Sequence, residues 1–168
     1  MINKVSFIPH SEIDDKTLHE IVLLKMQHWQ YPVDAQMRWI KENLSAEDTH
    51  VCIQAPDNQI VAYLNLVGVH VSGDQQEWDM QGIGNVCVDK AYLGKGLGRI
   101  IMEEVNKFLV DTSNVGLLLC RKELEGFYLK SGWFPFYGVV TLADQPYQNL
   151  VFSSSSLPGD NLKIEKNF

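Results

Sequence analysis

Ile83-Gly-Asn-Val-Cys-Val-Asp-Lys-Ala-Tyr-Leu-Gly-Lys-Gly-Leu-Gly98 is the stretch that decides the fold. Its apolar run ends at Val88, a polar turn follows, and three glycines then fall at alternate positions, Gly94, Gly96 and Gly98. An amphipathic segment starts at once with Arg99, Ile100, Ile101, Met102, Val105, Phe108 and Leu109. This reads as strand, glycine loop, helix. Such a loop turns backbone N–H groups toward an anion, and the helix N-terminus adds partial positive charge. The ligand it suits is a phosphate or pyrophosphate. Two common phosphate loops are excluded by spacing. No Gly-Lys-Ser or Gly-Lys-Thr exists for a P-loop. The third glycine of G-x-G-x-x-G would fall on Arg99 or Cys87.

The spacing that fits is x-x-x-G-x-G over Leu93 to Gly98, directly after a Val-x-Val strand. It resembles the acetyl-CoA pyrophosphate loop of the GNAT superfamily of N-acetyltransferases, R/Q-x-x-G-x-G/A. Leu93 departs from that pattern by standing in the Arg/Gln position, and Lys95 and Arg99 are the charges at hand. A second stretch supports the resemblance. Residues 115–134 run through an apolar strand and a short helix to Phe-Tyr and then Lys-Ser-Gly-Trp. That is similar to the later GNAT signature, (L/F)-Y-x-K-x-G-(F/W). The two signatures lie in the family's order and together cover roughly residues 80–135.

The resemblance implies an α/β (α+β) fold of the GNAT acyl-CoA N-acyltransferase type. Its sheet is mixed and mostly antiparallel, with helices on both faces and a splayed strand pair, here residues 83–88 and 115–120. It implies acetyl-CoA as acyl donor and an amine as acceptor, joined by direct attack through a tetrahedral intermediate. Val86, Cys87 and Val88 would pair with the pantetheine amides. Leu93, Gly94, Lys95, Gly96, Leu97, Gly98 and Arg99 would cradle the pyrophosphate. Tyr128 aligns with the tyrosine that protonates the departing sulfur. Arg121 stands where many members have an asparagine that contacts the cofactor. For the general base, Glu77 and Asp79 lie just upstream of the strand, and His70 ends the preceding one. The acceptor pocket of the family is built from the first helices and their connection, which here holds His28, Trp29, Tyr31 and Asp34. An aromatic and acidic rim suits a cationic amine.

The chain has 168 residues, enough for one domain, 1–156, with a polar tail over 157–168. Ser153 to Ser156, Pro158 and Gly159 mark that tail. Fourteen basic against twenty-one acidic residues give a net charge of −7, which argues against a nucleic-acid partner. No run is long enough to span a bilayer and the N-terminus lacks a secretory h-region, so a cytoplasmic location is expected. Cys52, Cys87 and Cys120 all fall in predicted strands with no C-x-x-C pair. They read as buried thiols rather than metal ligands or disulfides.

Periodicity predicts a helix over 11–30, with Leu18, Ile21, Val22, Met26 and Trp29 on one face. A second helix is capped by Asp34 and buries Met37, Ile40 and Leu44. A hairpin of 49–55 and 60–69 follows, then a polar loop over 71–79. After the glycine-loop helix come a strand at 115–120, a helix at 122–130 stopped by Gly132, and strands near 133–140 and 148–153.

The expected activity is acetylation of a small-molecule primary amine, of aminoglycoside or polyamine type. The alternatives are a protein or peptide N-acetyltransferase, and a non-catalytic acyl-CoA-binding sensor. Leu93 and Arg121 keep the sensor open, and Tyr128 argues against it. Many family members dimerise; this sequence does not decide it.

Overall fold

The computed structural model describes residues 4–147, 149–154 and 159–168. In chain order the elements are β1 (Lys4–Pro9), α1 (Asp15–Met26), α2 (Val33–Asn43), β2 (Thr49–Gln54), β3 (Ile60–Ser72) and β4 (Glu77–Val88). They continue with α3 (Leu97–Asp111), β5 (Gly116–Leu119), α4 (Lys122–Lys130), β6 (Phe134–Phe136), β7 (Val139–Leu142), β8 (Gln145–Tyr147), β9 (Leu150–Phe152) and β10 (Asn161–Ile164). Short 3-10 turns at His10–Glu12 and Lys90–Tyr92 precede α1 and α3. Among the described residues no helix is long and apolar enough to cross a membrane.

The chain divides into two compact units, which β3, β4 and α3 each run through. The first comprises residues up to Val67 together with Asn85–Glu104. Here β1, β2 and β3 form an antiparallel ladder, with Ser6 opposite Cys52 and Cys52 opposite Tyr63. Helix α1 is capped by the Asp14 carboxylate, which accepts from the Thr17 N–H at 2.7 Å. Its apolar stripe of Leu18, Ile21, Val22 and Leu24 is buried, and so is Lys25. Pro32 rather than Asp34 is the N-cap of α2; Asp34 lies in the first turn, where its charge favours the helix dipole.

The second unit comprises Gly68–Gly84 and Val105–Phe168. Its sheet runs β6-β9-β5-β4-β3-β10-β7-β8, with β4/β5 and β10/β7 parallel and the other registered pairs antiparallel. Val105, Leu109, Leu117, Leu118, Trp133, Val151 and Phe152 form its core. Trp133 Nε1 donates to Asn106 Oδ1 at 2.8 Å, and Asn106 Nδ2 donates to the Ser131 carbonyl, which ties α3 to the end of α4. The β4/β5 ladder covers Gln81 to Ile83 against Gly116 to Leu118, whereas β4 runs on to Val88.

Several expectations are corrected. Helix α1 is shorter than 11–30, because residues 10–12 form a 3-10 turn. The loop over 71–79 shrinks to a tight turn closed by Gly73 N–H to the Gln76 carbonyl, so Glu77 and Asp79 lie on β4. Strand β1 and strand β8 are additional, and 133–140 is split into β6 and β7. Cys120 lies just past β5, though it is buried and free like Cys52 and Cys87. The tail contains β10, paired with both β3 and β7, while residues 155–158 of the predicted polar segment lie outside the described residues.

Candidate active site

In the first unit the strand-to-helix passage takes the form that the glycines demand. Gly94 and Gly96 sit at φ +75° and +80°, left-handed conformations that a side chain disfavours. A Cβ at either position would meet nothing within 4 Å, so both glycines border open space. Helix α3 begins at Leu97, which aims the first-turn amides of Leu97, Gly98 and Arg99 beyond the helix end. Lys95 places its ammonium 4.3 Å from the centre of the Tyr92 ring, and Arg99 is 3.5 Å from Glu103. Leu93 is 58% exposed and contributes no polar group. Open space at two left-handed glycines, the amides of a helix start and two cations together fit a diphosphate.

The corner before the loop is pinned by Asp89 and Gln27, to which the sequence assigned no role, and by His28. Asp89 is buried, and its two carboxylate oxygens accept from the Ala91 N–H at 2.8 Å and from Gln27 Nε2 at 3.0 Å. Gln27 Oε1 in turn accepts from the Lys90 N–H. His28 Nε2 donates to the Val88 carbonyl at 2.7 Å, which fixes its tautomer. Asn85 sits on β4 at φ +56° and donates from Nδ2 to Asn65 Oδ1. A left-handed asparagine inside a strand kinks it; Gly-Asn, two poor strand formers, was the signal in the sequence.

The acceptor candidates share the α1–α2 connection. Gln36, itself buried, donates from Nε2 to the Trp29 and Tyr31 carbonyls at 3.2 Å each. Tyr31 is 64% exposed, Asp34 is exposed, and the His28 and Trp29 rings lie 5.8 Å apart. Under α1 lies a buried polar row, also missed in the sequence. His10 Nδ1 is 3.0 Å from His50 Nε2, and His50 Nδ1 is 2.8 Å from the Tyr63 hydroxyl. Burial, with His10 adding to it, lowers the His50 imidazole to about 4. Burial lowers Lys25 to about 8, although the Cys87 thiol opposes the shift. The Lys25 ammonium stands 5.5 Å from the Trp39 ring centre. Burial also pushes Cys52 and Cys87 up to about 12, so both thiols stay protonated and unreactive.

The second unit holds the catalytic candidates. Tyr128 is buried on α4 with its ring edge-on to Phe127, and burial raises its hydroxyl well above the free value, with Cys120 adding to the shift. Arg121 is the exposed N-cap of α4. The three base candidates come together: His70 Nδ1 is 3.0 Å from Asp79 Oδ1, and its Nε2 is 3.6 Å from Glu77 Oε2. The hydrogen bond to Asp79 raises the imidazole, partly opposed by desolvation and aided by the charge of Glu165. Among the described residues no cluster of three or more His, Cys, Asp or Glu could hold a metal ion.

Comparison with known proteins agrees with this fold. Escherichia coli ElaA superposes with a TM-score of 0.67 at 19% identity, over 91% of this chain and 100% of that one. An acyl-CoA N-acyltransferase from Pseudomonas aeruginosa gives 0.66 at 19%, with the same coverage. The GNAT family N-acetyltransferase YhbS from Escherichia coli, solved in complex with CoA, gives 0.68 at 13%, over 96% of this chain and 88% of that one. A search of curated protein sequences finds no match. The family model described as an acetyltransferase (GNAT) domain matches residues 10–135. By that match, over most of its length, the chain belongs to the GNAT family of acetyl-CoA-dependent N-acetyltransferases.

Proposed function

We propose that this enzyme acetylates the primary amine of a small molecule. Acetyl-CoA supplies an activated acyl group whose transfer needs no metal. Leu93, Gly94, Lys95, Gly96, Leu97, Gly98 and Arg99 hold its diphosphate, and Val86, Cys87 and Val88 orient the arm. Holding both reactants in register removes much of the entropic barrier. His28, Trp29, Tyr31 and Asp34 form the aromatic and acidic rim that receives the amine.

The proton shed by the amine passes to the cluster around His70. With Asp79 accepting from Nδ1–H, a proton taken up at Nε2 makes an imidazolium that faces Glu77 at 3.6 Å. An imidazole strengthened as a base by a carboxylate suits this task. Tyr128 stays protonated at neutral pH and donates to the sulfur leaving group. The single observation that carries the reading is the convergence of His70, Glu77 and Asp79. A module that only sensed acyl-CoA has no use for a carboxylate-oriented imidazole.

The test is thiol release from acetyl-CoA against a panel of small amines and lysine-bearing peptides. Turnover confined to peptides overturns the small-molecule reading. Tyr128→Phe is expected to lower kcat by about 10²-fold while leaving acetyl-CoA affinity intact. An unchanged kcat removes Tyr128 from the mechanism.

A further inference from the structure

Helix α2 buries one face, and the residues on it fall four apart: Gln36, Ile40 and, at the C-cap, Leu44. That spacing marks one side of a helix, where the core calls for an apolar residue each time. Gln36 breaks the pattern and is nevertheless only 5% exposed. A buried amide costs stability unless its hydrogens find acceptors. Both hydrogens of Nε2 find one, on the Trp29 and Tyr31 carbonyls. The Gln36 backbone N–H donates to the Pro32 carbonyl at 3.1 Å. One residue thus engages the carbonyls of Trp29, Tyr31 and Pro32 along the α1–α2 connection.

The first half of that connection is an extension of α1, since the His28 and Trp29 N–H groups both donate to the Lys25 carbonyl. In the second half the Tyr31 N–H turns back on the Trp29 carbonyl at 2.9 Å, and Pro32 fixes φ at −54°. The Tyr31 ring is 64% exposed, so packing in the core does not set its place. Its backbone does, and Gln36 holds that backbone. Asp34, also exposed, follows in the first turn of α2. An amine attacks as the free base, without charge on the reacting nitrogen. The attraction of an aromatic face and a carboxylate for positive charge therefore acts on a second cationic group of the acceptor.

We propose that Gln36 is the positioning residue of the acceptor rim: by clamping the Trp29 and Tyr31 carbonyls it presents Tyr31, together with Asp34, to a second ammonium of the acceptor, so that the enzyme prefers diamines to monoamines. This rests on the acetyl-transfer reading and on the rim assigned in it. The clamp acts by preorganisation. An arriving acceptor meets a connection already in its binding form and does not have to order it.

The experiment compares wild type, Gln36→Met, Tyr31→Ala and the double variant on tetramethylenediamine and butylamine. KM and kcat are recorded for each amine, with KM for acetyl-CoA and the Tm of each protein. Methionine keeps an unbranched stem in the core and removes both donors. Wild type is expected to favour the diamine. Gln36→Met and Tyr31→Ala should each cut the diamine's lead in kcat/KM about tenfold, through KM, which is the scale of one cation–π contact. The acetyl-CoA KM stays put, whereas a glutamine that merely supported the fold would move both amines and acetyl-CoA together. Because Gln36 acts through Tyr31, the double variant should lose no more than either single one. Tyr31→Ala removes an exposed ring and keeps the test decisive should Gln36→Met fold poorly. If wild type acetylates both amines without distinction, if either single variant keeps the wild-type preference, or if the two losses multiply, the proposal is refuted and the acetyl-transfer reading stands. If wild type binds acetyl-CoA and acetylates no amine, both fall together.

Discussion

Burial of the Lys25 ammonium works against folding, and replacing Lys25 should make the protein more stable. Its free amine titrates near 10.5, and burial brings it down to about 8. The unfolded chain therefore binds this proton more tightly than the folded one. At neutral pH that difference of about 2.5 units amounts to roughly 3 kcal/mol against folding. The sign follows: between pH 8 and 10.5 the unfolded chain still carries a proton that the folded chain has shed, so stability from this group rises with pH across that window. Lys25→Met keeps the aliphatic stem in the core and removes the charge. It forfeits the contact with Trp39, worth about 0.5–2 kcal/mol. A net gain of about 1–2 kcal/mol remains, which for a chain of this size raises Tm by roughly 2–8 °C. Thermal denaturation of both proteins at pH 7 and pH 10 measures it. The variant should lead at pH 7, and the lead should shrink at pH 10. A variant that is less stable at pH 7, or a gap indifferent to pH, refutes the account of Lys25 as a buried cation whose desolvation outweighs its contact with Trp39.

Other outcomes follow from the same geometry. His50, lowered to about 4 against about 6.5 when free, must be protonated on unfolding in acid, so its contribution is complete above pH 6.5 and drains away toward pH 4. Urea titrations should show about 2 kcal/mol lost from this group between pH 7 and 5, and His50→Gln should flatten that slope. Gly96→Ala forces an alanine to φ +80° with its methyl in open space. It should cost about 1–2 kcal/mol of stability but weaken acetyl-CoA more than tenfold by calorimetry, and equal affinity would contradict the cradle. Asp89→Ala orphans the Ala91 N–H and the Gln27 amide, so acetyl-CoA affinity should drop about tenfold with the fold retained.

What could be read from the chain was whatever local rules control. The glycine loop declared itself because left-handed positions need glycine, and α4 matched its predicted 122–130 because Gly132, left-handed at φ +86°, ends it. Lys25 was legible in part: it falls four residues after Ile21 and three after Val22, on the buried stripe, but lysine in such a place reads as an interruption. His50 likewise shares its strand face with Cys52. Strand β10 was not legible, since Asn161 to Ile164 is four residues long with two of them polar, and its partners β3 and β7 are distant in sequence. Asp34 was assigned a cap that Pro32 holds, because a carboxylate within the first turn serves the dipole as one at the cap does. The meeting of Gln27 with Asp89 spans 62 residues, and no periodicity announces such a pair.

That pair has a bearing on how mutational data should be interpreted. One glutamine amide grips the Asp89 carboxylate with one end and the Lys90 backbone with the other. Side chains wired in series do not lose their effects independently. In a thermodynamic cycle of Gln27→Ala and Asp89→Ala, the second substitution should find little left to break, with a coupling energy of about 0.5–3 kcal/mol. Scanning α1 one position at a time would credit Gln27 with a helix function, when its influence is exerted at the neighbouring corner.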